Sequence, residues 1–158
     1  MTSRAEVVHD LLKERGETVA TAESLTGGQL AALLTAAPGA SETYLGGVVS
    51  YATQAKVDVL GVDPGLVERH GVVSAECARA MARGARGLMG ATYAVSTTGV
   101  AGPDEQEGKP PGTVYVGVAG PGGDVGIALE LVGGRSAIQD RTCQEALSAL
   151  EGIVREEG

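Results

Sequence analysis

Aromatic side chains are nearly missing from this sequence, which has four Tyr, no Phe and no Trp in 158 residues. Proteins that hold single-stranded nucleic acid stack its bases on exposed rings, so that class of function is all but excluded. The same shortage leaves Val, Leu, Ile and Ala to build the core. Positive charge is scarce as well. Twelve Lys and Arg stand against 20 Asp and Glu, for a net charge of −8, and the bases form no run. Duplex binding needs a cationic face, so nucleic acid is not an expected partner. Long apolar stretches are absent: none approaches the ~18 residues of a membrane span. The N-terminal MTSRAEVVHDLLKERGE carries no signal-peptide core. The expectation is a cytoplasmic protein without a membrane partner.

Cysteine and histidine are equally sparse. Cys77 and Cys143 have no paired spacing and read as small buried hydrophobes in a reducing compartment. His9 and His70 flank no motif. A Ser-His-Asp triad or a histidine metal centre would have little to draw on, so neither metal nor cofactor is expected.

Glycine is what the chain has in excess. Its 25 glycines are more than double the usual level of about 7%. Eleven of them fall between Gly99 and Gly134. Between the glycine turns, helical and strand periods alternate. Ser3 to Glu6 forms a capping box for a helix reaching about Arg15, with Val7, Val8, Leu11 and Leu12 on one face. Thr18 to Ala22 reads as a strand, and Thr26 with Gln29 as a second capping box for a helix over Leu30 to Ala36. Tyr44 to Tyr51 is a second strand, Ala52 to Leu60 is helix-like, and Asp63-Pro64 opens a short helix. A longer helix begins at Ser74, with Cys77, Met81, Ala85 and Leu88 along one face. Ala94 to Thr98 is a third strand. A polar loop, Asp104 to Gly112, leads to a hairpin of Val114 to Ala119 and Val125 to Leu131. A last helix, about Ser136 to Glu156, carries Cys143, Leu147, Leu150 and Val154 as its stripe. Helices between strands imply an α/β layer fold, and no linker or repeat divides residues 1–158, so one domain is expected.

Three segments can carry chemistry. In TVATAESLTGG (18–28) a strand ends in a polar turn and a helix begins at two glycines. Ser24 then stands beside free N–H groups. These can bind a phosphate or hold an oxyanion while the hydroxyl attacks a carbonyl; alternatively Ser24 and Thr26 only cap the helix. Lys56, one of three lysines, closely follows a strand among small neighbours. It is either a solvated helix lysine or, if buried, a base for a serine that has no histidine. The turn Thr97 to Pro103 also follows a strand and should share an edge with Ser24, as a ligand-approaching loop or a plain tight turn. Arg135 and Arg141 are either phosphate contacts or surface arginines.

Taken in order, TVATAESLTGG (18–28), PGASETYLGGVVSYATQAK (38–56), LGVDPGLVERHGVVS (60–74) and STTGVAGPDE with KPPGTVYV (96–116) resemble the CinA C-terminal domain family, over about Val7 to Val154. The resemblance implies a three-layer α/β/α sandwich around a mixed sheet of about five strands. It implies hydrolysis of the carboxamide of nicotinamide mononucleotide, in pyridine nucleotide salvage, by a metal-free Ser-Lys mechanism. The family's nucleophile falls on Ser24, its catalytic lysine on Lys56, and its active-site tyrosine on Tyr51, which would pass the proton between them. Thr26, Gly27 and Gly28 fall beside the nucleophile as oxyanion or substrate contacts. Ser41 falls on an assisting serine, and Thr98, Gly99, Ala101 and Gly102 on the substrate loop. A homodimer or higher homo-oligomer is compatible with the family, and the length suits its stand-alone members. The chain departs from the family pattern at Leu25, Ala52, Thr53, Pro111, Gly134 and Gln139. The last two put loop anchoring in question. They leave open a non-catalytic nucleotide-binding or regulatory module on the same fold, and, more remotely, a sheet-edge interaction protein.

Overall fold

Apolar residues in runs that suit strands buried on both faces organise the molecule around one sheet. The computed structural model describes residues 2–157; Met1 and Gly158, the ends of the expected domain span, lie outside them. The elements in chain order are α1 (Arg4–Arg15), β1 (Val19–Glu23), α2 (Gln29–Ala36), α3 (Ala40–Thr43), β2 (Tyr44–Val49), α4 (Thr53–Asp58), α5 (Pro64–His70), α6 (Ala75–Met89), β3 (Tyr93–Gly99), β4 (Thr113–Gly120), β5 (Gly123–Glu130) and α7 (Arg135–Glu157). The sheet order is β2-β1-β3-β4-β5. β1 runs parallel to β2 and β3, whereas β4 is antiparallel to β3 and β5. The sheet is thus mixed, as the family resemblance implies.

Each face of the sheet has its own core. On one side Leu12, Leu30, Leu34, Cys143, Leu147 and Leu150 bring α1, α2 and α7 onto Val19, Val95 and Val116. On the other, Cys77, Met81 and Ala85 of α6 pack on Ala20, Ala22 and Ala94. Alternation along β1 explains the division: Val19 faces one layer, Ala20 and Ala22 the other. The result is the three-layer α/β/α sandwich.

Several details differ from the sequence expectation. Tyr93 is fully buried among the aliphatic residues of the first core, so that core is not purely aliphatic. Leu88 is 55% exposed. The apolar stripe of α6 steps by four, from 77 to 81 to 85, and lands on Met89, which packs on the second core instead. A one-turn helix, α3, lies within a segment that carries no helical period. Ser3 caps α1 with its hydroxyl accepting from Glu6 N, which is one half of the expected capping box. Cys77 and Cys143 are free and buried. Among the described residues no helix is long and apolar enough to cross a membrane.

Because β1 and β3 are parallel neighbours, their carboxyl ends lie side by side. The turn after Glu23 and the turn after Gly99 therefore open on the same edge of the sheet.

Candidate active site

The turn that carries Ser24 is organised by a residue the sequence reading passed over. Glu23, the last residue of β1, is 1% exposed. Its Oε1 accepts from Thr26 Oγ1 at 2.6 Å, Gly28 N at 3.2 Å and Leu30 N at 2.9 Å, and its Oε2 from Ala31 N at 3.0 Å. Glu23 is the cap of α2. Gly28 occupies the N-cap position with φ 103° and has no capping side chain, so the expected Thr26–Gln29 capping box does not form. Gly27, at φ 55°, also lies in the left-handed region, which is what lets the chain double back over the carboxylate. Gly27 N donates to Ser24 O and Gln29 N to Thr26 O. The start of α2 is thus occupied by the protein's own oxygens and has no amide left for a phosphate. Among the described residues, only the Leu25 and Thr26 amides of the segment Ser24 to Ala31 have no acceptor outside regular helix bonding.

Lys56 comes from α4 and reaches inward until it is 1% exposed. Its Nζ lies 3.0 Å from Ser24 Oγ, 2.7 Å from Ser50 O and 3.3 Å from Tyr51 O. No carboxylate lies within ion-pair distance of it among the described residues. Burial pushes its pKa below 10.5, opposed by weaker fields from Cys77 and Glu107. Ser24 Oγ and the Ser50 and Tyr51 carbonyls can each accept an N–H of the ammonium. In the neutral amine, which burial favours, two N–H bonds stay with the carbonyls and the lone pair is free to accept from the Ser24 hydroxyl. That is the disposition of a general base toward a nucleophile.

Tyr51 takes a different place from the expected one. Its ring is 62% exposed, and its hydroxyl accepts from Arg135 Nη2 at 3.0 Å. Its phenol bonds neither Ser24 nor Lys56 among the described residues. Because those two already touch, a proton relay through Tyr51 is not needed. Arg135 also donates from Nη1 to Gly102 O at 2.6 Å, which ties the start of α7 to the glycine loop.

The cleft these residues enclose has a volume of about 330 Å³, at the lower end of small-molecule sites. Ser24, Leu25, Tyr51 and Arg135 face the segment from Gly99 to Gln106 across it. Gly99 and Gly102 line it as expected, but their lack of a side chain is also demanded by the chain itself. A Cβ on Gly99 would stand 2.6 Å from Thr113 O, and one on Gly102 2.9 Å from Pro111 Cβ. Ala101 is buried against Leu25 and Ile138. The loop beyond is fastened by Glu107, whose carboxylate accepts from Val72 N and Val73 N at 2.9 and 3.0 Å.

Five residues expected at the cleft do not line it: the Thr26 side chain turns back to Glu23, the Gly27 and Gly28 amides are taken by Ser24 O and Glu23, and Thr98 and Ser41 lie elsewhere. Thr98 Oγ1 donates to Val72 O on the α6 side of the sheet, and it is the neighbouring Thr97 whose hydroxyl points to the nucleophile turn, 2.8 Å from Thr26 Oγ1. Alternation along β3 makes that choice. Ser41 lies in α3, before the first residue of β2, at the opposite edge of the sheet from Ser24. Within one chain it cannot reach the site. Conversely Gln139, whose departure from the family pattern raised doubt, donates from Nε2 to Leu25 O at 2.8 Å and anchors the turn from α7. Glu23 is a neighbour of Ser24 that the sequence does not single out, and Thr97 and Gln139 stand there in places that their spacing does not specify. Only Glu23 carries a signal in the sequence, as a charge ending an otherwise apolar strand.

The chain resembles known proteins along its whole length. The family model for the CinA C-terminal domain matches residues 1–154. A CinA-like protein of Frankia casuarinae is 52% identical over 148 residues, covering 94% of this chain and 34% of the relative. A CinA-like protein of Synechocystis is 47% identical over 152 residues, covering 96% of this chain and 36% of the relative. The chain thus spans about a third of the length of those curated relatives. Among solved structures, a CinA superfamily protein of Klebsiella pneumoniae superposes with a TM-score of 0.93 at 33% identity, over 97% of this chain and 96% of that one. The competence/damage inducible protein CihA of Agrobacterium tumefaciens does so with a TM-score of 0.87 at 32% identity, over 97% of both chains.

Proposed function

The chain belongs to the CinA C-terminal domain family, and on that premise we propose that it hydrolyses the carboxamide of nicotinamide mononucleotide to nicotinate mononucleotide and ammonia. The observation that carries the reading is the 3.0 Å contact between Ser24 Oγ and a buried Lys56 that has no carboxylate partner among the described residues. Burial disfavours the charge on such a lysine, which suits it to accept and return a proton.

The steps follow from that contact. Ser24 Oγ attacks the carboxamide carbon as Lys56 takes its proton, and the carbonyl π electrons move onto oxygen. The Leu25 and Thr26 N–H groups are the unclaimed donors beside Ser24, and they receive the oxyanion. The Lys56 ammonium then gives its proton to the amide nitrogen, the C–N bond breaks, and ammonia leaves. Water attacks the acyl-serine with Lys56 again as base, the proton returns to Ser24 Oγ as the C–O bond breaks, and the released acid gives its remaining proton to solvent.

The cleft also fits the charges of this substrate. Arg135 is its single cation among the described residues, so the phosphate is assigned there rather than to the occupied start of α2. Asp104 and Glu105 stand in the facing segment. A pyridine ring joined to ribose through its nitrogen carries a positive charge, which suits those acids; free nicotinamide is neutral and lacks both charges.

Ammonia release measured in parallel from nicotinamide mononucleotide, the dinucleotide and nicotinamide tests the reading. Release from the mononucleotide well above the other two is the expected result. Stabilisation by the mononucleotide without ammonia would instead favour a non-catalytic nucleotide-binding module.

A further inference from the structure

Behind the nucleophile turn stand three buried polar side chains that do not line the cleft: Glu23, Thr26 and Thr97, exposed by 1%, 3% and 0%. Their hydrogen bonds have a direction. The Thr26 hydroxyl has one proton, and it goes to Glu23 Oε1 at 2.6 Å. At the 2.8 Å contact between Thr26 and Thr97 the donor is therefore Thr97. The chain runs from Thr97 on β3 through Thr26 to the carboxylate at the end of β1. The same carboxylate gathers Gly28 N, Leu30 N and Ala31 N.

An ordinary helix is capped by a short side chain at its own N-cap. Here the cap comes from the strand before the nucleophile, and one carboxylate joins β1, the turn and α2. Burying a carboxylate is costly unless donors surround it, and four do. A simpler cap would fill the helix start at lower cost but would leave the turn between Ser24 and Gly28 unsupported.

We infer that Glu23 is a positioning residue for the reaction proposed above, on which the inference rests: it claims the first amides of α2 and, through Thr26 and Thr97, holds the turn so that the Leu25 and Thr26 N–H groups remain free beside Ser24. Replacing one carboxylate oxygen with an NH₂ group would set a donor against donors and loosen that turn.

The test uses the whole chain with Glu23→Gln and, in case that variant does not fold, Thr97→Val. In Glu23→Gln, kcat for ammonia release per folded molecule falls about 100-fold, with KM held within about threefold and the pH midpoint unmoved. Thr97→Val shows the same split at about tenfold. A Glu23→Gln protein that melts lower but keeps kcat assigns Glu23 to stability alone and overturns the inference. A displaced pH midpoint also overturns it, since the charge would then act on Lys56. If Glu23→Gln does not fold, an unchanged kcat in Thr97→Val overturns it. Labelling of Ser24 by a fluorophosphonate needs the turn but not the substrate, and separates the two proposals. A wild type that labels but releases no ammonia, with labelling slowed in both variants, removes the substrate assignment and keeps Glu23 in its role. Labelling at the wild-type rate in both variants overturns that role.

Discussion

Lys56 Nζ lies 3.0 Å from Ser24 Oγ, although the two residues are 32 positions apart and stand on different elements. Ser24 follows β1, and Lys56 lies in α4, which follows β2; the parallel pairing of the two strands brings both to one edge. The amine is fixed from behind by Ser50 O and Tyr51 O. With no carboxylate among the described residues near enough to hold its proton, this lysine is poised as a base.

Activity should follow the deprotonation of Lys56. Burial lowers its pKa from 10.5, so kcat/KM should rise about tenfold per pH unit on the acid side and level off below pH 10.5. Lys56→Met should reduce turnover between about 100- and 10,000-fold and abolish that limb. A rate profile in buffers of constant ionic strength checks both.

The same shift makes stability depend on pH. Below its folded-state pKa, Lys56 is charged in both states, and its burial costs the fold a constant amount. Between that pKa and 10.5 the unfolded chain binds the extra proton, so stability rises with pH across this window. The melting temperature of the wild type, relative to Lys56→Met, should therefore increase as pH is raised toward 10.5. A difference that stays flat would show that burial does not disfavour the charged form.

Arg135 should govern affinity more than chemistry. It holds Tyr51 and Gly102 and is, among the described residues, the one cation of the cleft. Arg135→Ala should raise KM for the mononucleotide at least tenfold, by losing charged hydrogen bonds worth about 1.5–3 kcal/mol. KM for the riboside, which lacks the phosphate, should change much less. Steady-state kinetics on both substrates separates the two effects.

Gln139→Leu should lower kcat about tenfold without unfolding the protein, because Leu25 O loses its donor from α7 and the turn is freed on that side. Circular dichroism beside the kinetic assay distinguishes this from general destabilisation.

Two glycines should respond in opposite directions. A Cβ on Gly117 would stand 2.2 Å from Ala78 O, where β4 and α6 meet, so Gly117→Ala should destabilise by about 1–3 kcal/mol or more. Gly87 lies exposed within α6 with nothing in the way, so Gly87→Ala should stabilise by up to ~1 kcal/mol. Thermal melts of the two proteins read the contrast directly.

The sequence made much of this legible where periodicity carries the information. The stripe Cys143, Leu147, Leu150 and Val154 is buried as its spacing predicts, and the hairpin turns within Gly120 to Gly123. The blocks around Ser24 and Lys56 pointed to one site, and the fold brings them into contact. Other features depend on three dimensions. Whether Thr97 or Thr98 faces the turn depends on the parity of β3 against its neighbours, and a one-residue difference reverses it. Ser41 sits in a block that also holds Tyr51 and Lys56, yet a whole strand separates it from them. The role of Glu23 is set by the folding back of its own side chain, which no spacing rule encodes.

The most direct test of the account is ammonia release from nicotinamide mononucleotide by the wild type and by Ser24→Ala, with both shown to be folded. The account predicts steady release by the wild type and a rate at least about 1,000-fold lower in the variant, since the acyl-enzyme cannot form. Release by Ser24→Ala at the wild-type rate would contradict it.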